Sequence, residues 1–210
     1  MTAMAVIGTA GRQSDASKIT RELYDAMYEE TLRAIADWGV DVLVSGGAAV
    51  ADHLAVRAFL DGRVGRLSLF LPAPFDGRRY VRPPRAVSDD AGTANRYHAQ
   101  FSQACGLDSL RELSEAIGRG CEVTVRWGFK ARNLDVAAAA ERMLALTFGA
   151  DEPPCDLGPS SPGFRRHAAA GLKDGGTAHT WDECWRADAK RHVSLTWLAK
   201  QLAPAAPSFR

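Results

Sequence analysis

Residues 40–55 read VDVLVSGGAAVADHLA. An apolar run of strand length, Val40 to Ser45, passes through the turn Ser45-Gly46-Gly47-Ala48 into an amphipathic stretch, Ala48 to Asp61. Leu54, Ala55, Ala58 and Phe59 form the inner face of that predicted helix. Working outward, the pattern repeats upstream. Ala3 to Gly8 is a short buried-strand run, followed by Gly8-Thr9-Ala10-Gly11-Arg12. A helix is then predicted from Ser17 through Asp37, with Ile19, Leu23, Met27 and Ile35 at helical spacing and Gly39 just beyond its end. Downstream, Leu67 to Leu71 supplies a third strand. Strands that alternate with helices need long crossovers, which predicts an α/β fold: a mainly parallel sheet with helices on both faces, in three layers.

Beyond Leu71 the pattern loosens. Pro72, Pro74, Pro83 and Pro84 mark residues 72–91 as a loop insertion that also carries Arg78, Arg79, Arg82 and Arg85 around Tyr80. Helices are expected over 93–104, 108–118 and Ala131–Arg142, and strands over Cys121–Val125 and Met143–Phe148. Pro153, Pro154, Pro159 and Pro162 make 150–175 a second insertion. Thr177 to Lys190 reads as a helix, on which Trp181 and Trp185, four apart, share a packed face. His192 to Thr196 reads as the last strand, and 203–210 as a flexible tail after a single domain over 1–202.

The chain has 210 residues with 26 Lys and Arg against 25 Asp and Glu, so bulk charge draws it neither to nucleic acid nor to a membrane surface. Cys105, Cys121, Cys155 and Cys184 show no CxxC or zinc-finger spacing and read as buried small hydrophobes or surface thiols. With no secretory pattern and no bilayer-length apolar run, the expected location is the cytoplasm, without membrane contact.

The chemistry is expected where strands run into helices, because an open parallel sheet binds ligands beyond the carboxyl ends of its strands. All three glycine turns fall there: the two named above follow strands directly, and the third, Gly175-Gly176-Thr177-Ala178-His179-Thr180, comes after the second insertion. Glycine lets an anion approach the backbone, and a helix N-terminus offers unpaired N–H groups and the positive end of a dipole. A phosphate-binding pocket follows. Neither GxxxxGK[ST] nor GxGxxG occurs at these turns, which disfavours a P-loop ATPase and an ordinary dinucleotide dehydrogenase. His179 and Glu183 with Asp182 are read as helix capping and pocket lining, with no metal assigned, and His53 as helix packing or a polar pocket wall.

Four local patterns resemble the SLOG superfamily of Rossmann-like nucleotide-binding domains, which includes the Lonely Guy phosphoribohydrolases and the DNA-processing protein A domain. They are the glycine turn after the first strand, SGGAAVADHLA at 45–55, Arg132-Asn133 before MLALTF, and DGGTAHTWDE at 174–183. The resemblance implies a Rossmann-like fold, a nucleotide or phosphorylated nucleoside ligand, no other cofactor, and a homodimer. By the PGGxGTxxE pattern of the Lonely Guy enzymes Glu183 corresponds to a catalytic glutamate, and Arg132 to the arginine that acts upstream of that motif. Asp174 stands where the pattern has proline, and one extra residue separates Gly175-Gly176 from Thr180. The implied ligand-binding set is Gly8, Thr9, Gly11 and Arg12; Ser45, Gly46, Gly47 and Asp52, the last toward a ribose hydroxyl; Asn133; and Gly175, Gly176, Thr177, His179 and Thr180.

Hydrolysis of an N-glycosidic bond builds positive charge on the ribose, which a carboxylate at Glu183 would stabilise while Arg132 clamps a phosphate. Two alternatives remain open at the level of sequence: a noncatalytic nucleotide sensor or carrier, and a nucleic-acid-binding protein that uses Arg78, Arg79, Arg82 and Arg85.

Overall fold

The structure is a computed structural model that describes residues 1–173 and 175–202. Seven strands form one sheet in the order β4-β3-β2-β1-β5-β7-β6. They are β1 (Ala3–Gly8), β2 (Val42–Ser45), β3 (Arg66–Leu71), β4 (Glu122–Val125), β5 (Arg142–Thr147), β6 (Cys155–Leu157) and β7 (Ala189–Ser194). All neighbours pair in parallel except β6, which runs antiparallel to β7. The fold is α/β and Rossmann-like, as the strand and helix alternation predicts.

One face of the sheet is covered by α1 (Arg21–Trp38), α2 (His53–Leu60), α3 (Asp90–Cys105), α4 (Ser109–Gly118) and α8 (Leu195–Leu202). The other carries α5 (Phe129–Ala138), α6 (Pro162–Arg165) and α7 (Gly176–Glu183). Two apolar clusters result. Met4, Val6, Leu43 and Leu144 point into the first, and Ala5, Ile7, Val44 and Ala145 into the second, as strand alternation requires. Among the described residues no helix is long and apolar enough to cross a membrane.

Several predicted boundaries move, each for a local reason. The first helix begins at Arg21 instead of Ser17: Gln13–Lys18 forms a separate 3-10 turn, and the Thr20 hydroxyl caps α1 by accepting the Leu23 N–H at 3.2 Å. The second begins at His53 instead of Ala48, because Gly47 and Val50 both hold φ of +64° and keep the chain out of the helix. The fifth ends at Ala138, not Arg142, since Arg142 pairs with Met4 as the first residue of β5.

The largest correction lies in the predicted Thr177–Lys190 helix, which stops at Glu183. Lys190 belongs to β7, and its ammonium, fully buried, donates to the carbonyls of Phe164 at 2.7 Å and Trp181 at 2.5 Å. Burial pushes its pKa down to about 8. Arg191 and His192, also buried in β7, pair with Asp156 at 2.5 Å and with Thr147 at 2.9 Å. Because α7 is short, Trp181 and Trp185 do not share a face. Trp181 is buried and donates to the Gly163 carbonyl at 2.9 Å, while Trp185 is half exposed. The last strand accordingly ends at Ser194 instead of Thr196, and α8 takes Leu195 and Thr196 together with residues 197–202, which carried no assignment. The 150–175 insertion holds β6 and α6. The expected tail at 203–210, like Asp174, lies outside the described residues.

Candidate functional site

The chain leaves β1 toward β2 on one side, while β5 pairs with β1 on the other. That reversal of strand order opens a crevice at the carboxyl ends of β1 and β5. A cavity of about 290 Å³ occupies it. Gly8, Thr9 and Arg12 line it from the first glycine turn, Asp52 from the start of α2, and Arg132 and Asn133 from α5. Gly175, Gly176, Thr177 and Thr180 line it from the N-terminal turn of α7. Ten of the residues picked out in the sequence thus converge on one cavity.

The walls are held by specific bonds. Thr177 donates its hydroxyl to the Gly8 carbonyl at 2.8 Å, which ties the start of α7 to the end of β1. Asn133 donates its amide to the Gly176 carbonyl at 3.1 Å, which ties α5 to α7. Thr180 turns its hydroxyl back onto the Gly176 carbonyl at 3.0 Å. At Gly175, with φ of +134°, no atom lies within 4 Å of where a Cβ would sit.

Arg132 is the central side chain. It is buried, and its Nη1 donates to Asp52 Oδ2 at 2.9 Å. Its Nε is buried with no hydrogen-bond partner among the described residues. An unpaired donor of this kind costs roughly 1–3 kcal/mol until something accepts from it. Burial raises the pKa of the Asp52 carboxyl, against the opposing pull of the Arg132 guanidinium and of the Ala48 N–H.

In the second glycine turn, Ser45, Gly46 and Gly47 stand behind the cavity wall and do not line it; of the three, Gly46 lies directly against the Arg132 guanidinium. A Cβ on Gly46 would lie 1.3 Å from Arg132 Nη1, so only glycine leaves room for the guanidinium. Ser45 donates its hydroxyl to the Asp52 carbonyl at 2.8 Å and accepts from Gly47 N–H at 3.1 Å. The Gly47 carbonyl accepts from the Tyr80 hydroxyl at 2.5 Å and lies 3.1 Å from His98 Nε2. Burial lowers the His98 pKa to about 4, so at neutral pH the ring is neutral and its one proton fits Nε2, with Nδ1 facing the Ser109 hydroxyl. Tyr80 is therefore a buried strut under the site, apart from the arginines that flank it in sequence.

Gly11, His179 and Glu183 also stand away from the cavity wall. Gly11, with φ of +71°, packs toward Val50 and Ile19, and its N–H is taken by the Thr9 hydroxyl at 3.1 Å. Glu183 sits at the far end of α7 with its side chain 47% exposed, 4.0 Å from His179 Nε2. Asp182 pairs instead with His167 Nδ1 at 2.7 Å. His53 packs inside the α1/α2 layer, 2.9 Å from the Tyr24 hydroxyl. Arg78 and Arg79 lie outside the cavity, on a loop whose turn is closed by Asp76 accepting both of their N–H groups at 2.9 Å.

Sequence reasoning missed Asp15, Phe129, Phe148 and Lys173, all of which line the cavity. Asp15 is buried between Lys18 Nζ at 3.1 Å and Lys173 Nζ at 2.9 Å. Lys173 is 158 positions from Asp15, so no local pattern announces the contact. Phe129 had a usable signal: it directly follows Gly128, which holds φ of +93° at the mouth of α5.

No protein-family model matches the chain. It is similar to an uncharacterized protein of Acanthamoeba polyphaga mimivirus, with 33% identity over 159 residues that cover 72% of this chain and 83% of the viral one.

Proposed function

The chain and that mimivirus protein belong to one family, and from the geometry of the cavity we propose that this member binds a nucleotide or a phosphorylated nucleoside derivative. The observation that carries the reading is the buried Arg132, with its unpaired Nε, in a cavity that also receives the N-terminal turn of α7. Both features offer donors to an anion, and the site lies where parallel sheets take nucleotides. Phe129 and Phe148 supply apolar wall for a base, and Thr9, Thr177 and Thr180 stand near for sugar hydroxyls. The resemblance to the SLOG superfamily points the same way and adds a homodimer to the proposal.

Binding is favoured over N-glycosidic hydrolysis because Glu183, the carboxylate the resemblance assigns to catalysis, is outside the cavity wall. The test is thermal unfolding and calorimetry with a panel of nucleoside 5'-monophosphates, with base release followed by chromatography. A nucleotide at a hundredfold excess over its Kd stabilises by about 2.7 kcal/mol. Gly176→Asp is expected to stay folded, since a Cβ there meets only Asn133 Nδ2 at an ordinary 3.6 Å, and to lose binding because its carboxylate occupies the anion position. Unchanged affinity in that variant removes the α7 N-terminus from the site. Glu183→Gln is expected to bind as the parent does; base release by the parent that disappears in this variant would establish the hydrolytic reading instead. A panel in which no nucleotide stabilises the protein would sink the proposal.

A further inference from the structure

Resting on the nucleotide reading above, we propose that the ligand carries two anionic groups, as a nucleoside diphosphate does. Two cationic clusters built on different elements border the cavity: Arg12, Arg132 and Lys173 line it, and Lys18 stands behind the Phe148 wall. In the first, the guanidinium carbons of Arg12 and Arg132 lie 5.7 and 5.9 Å from the Phe129 ring centroid, with Asp52 as the one carboxylate. Arg12 makes no ion pair among the described residues. In the second, Lys18 and Lys173 both reach Asp15, at 3.1 and 2.9 Å. Among the described residues each cluster sets two cations against one carboxylate, so each has a surplus positive charge there.

This surplus is local, because the whole chain is nearly balanced at 26 basic against 25 acidic residues. A purely structural clasp between the 150–175 insertion and the β1 loop needs Lys173 and Asp15 alone. Lys18 adds a second ammonium, half exposed, with its Nζ 4.8 Å from the centroid of the Phe148 ring, itself part of the cavity wall. Lys173 stands two residues before Gly175, so this cluster adjoins the α7 N-terminus. One phosphate on Arg132 and the α7 amides leaves the lysine cluster free for a second. Charge-assisted bonds from lysine to phosphate are about twice as strong as neutral ones, which makes the second anion a determinant of affinity.

The experiment is titration calorimetry of the full chain with adenosine, guanosine, cytidine and uridine 5'-mono- and diphosphates and with inorganic pyrophosphate, at two salt concentrations. For the nucleoside that binds, the diphosphate is expected to bind about tenfold tighter than the monophosphate, with the steeper salt dependence. In Lys18→Ala and in Lys173→Ala, each of which leaves Asp15 one lysine and so keeps the fold, the ratio of the two affinities is expected to fall toward one. Equal affinities for mono- and diphosphate in the parent overturn this inference and leave the nucleotide reading standing. So does a ratio unchanged in both variants. Pyrophosphate binding as tightly as the diphosphate overturns the nucleoside part of it. Binding of neither nucleotide form overturns both.

Discussion

Arg132→Met is expected to lower stability by about 3–5 kcal/mol at neutral pH, the usual consequence of removing one partner from a buried ion pair. The cost comes mainly from what is left behind. Asp52, 4% exposed, would keep its carboxylate without the guanidinium that faces it at 2.9 Å. The pKa of Asp52 in the folded parent is already raised, with burial as the largest cause and Arg132 the first of the opposing ones. Taking Arg132 away raises it further.

The sign of the pH dependence follows. A carboxyl whose folded pKa lies above its unfolded value of about 3.9 is a penalty on folding once it must ionise. The part of the Arg132→Met deficit that comes from Asp52 is therefore full above the folded pKa of Asp52 in the variant and is lost as pH falls to its lower folded pKa in the parent. Urea unfolding of parent and variant across the acid range measures this directly. A deficit that does not change with pH would show that Asp52 is not its source. Adding Asp52→Asn to the variant is expected to recover most of the loss, because the stranded group is then neutral. Ligand affinity should not return, since the Arg132 donors are gone in both.

The second large effect is expected at Gly8. A Cβ there would lie 2.1 Å from the Leu146 carbonyl oxygen and 2.6 Å from Ala51 Cβ. Neither neighbour can move alone. Leu146 is the ladder partner of Gly8 in the centre of the sheet, and its carbonyl accepts the Thr9 N–H at 2.9 Å. Gly8→Ala must push β1 and β5 apart at the crevice that houses the cavity, at a cost of roughly 3 kcal/mol or more. For a chain of this size that is a fall in Tm on the order of 10 °C. Gly118→Ala serves as the control, since nothing lies within 4 Å of its Cβ position and its φ is not positive. If Gly8→Ala and Gly118→Ala unfold at the same urea concentration, the close approach does not constrain this position.

Much of the site was legible because its signals are local. A glycine between an apolar strand run and a helix is visible in a ten-residue window, and the cavity lies where two of the three such turns meet. The roles within the turns were less legible. Gly46 is glycine because a side chain from α5 lies across it, and Arg132 is 80 positions from the Asp52 it pairs with. The resemblance assigns catalysis to Glu183; in the fold the cavity-lining part of α7 ends at Thr180, and Glu183 stands on the next turn with its side chain 47% exposed.

The α/β class, the parallel order of the early strands and the sites of the turns were thus readable from alternation, helical spacing and glycine placement, which act over a few residues. The last strand was readable from His192 onward, but its first half was not, because Lys190 looks like the end of a helix until the carbonyls of Phe164 and Trp181 are brought against it and the carboxylate of Asp156 against Arg191. The same holds for the Lys173 clasp on Asp15. A polar group is admissible in the interior only with a partner, and partners far apart in the chain are assigned by folding itself.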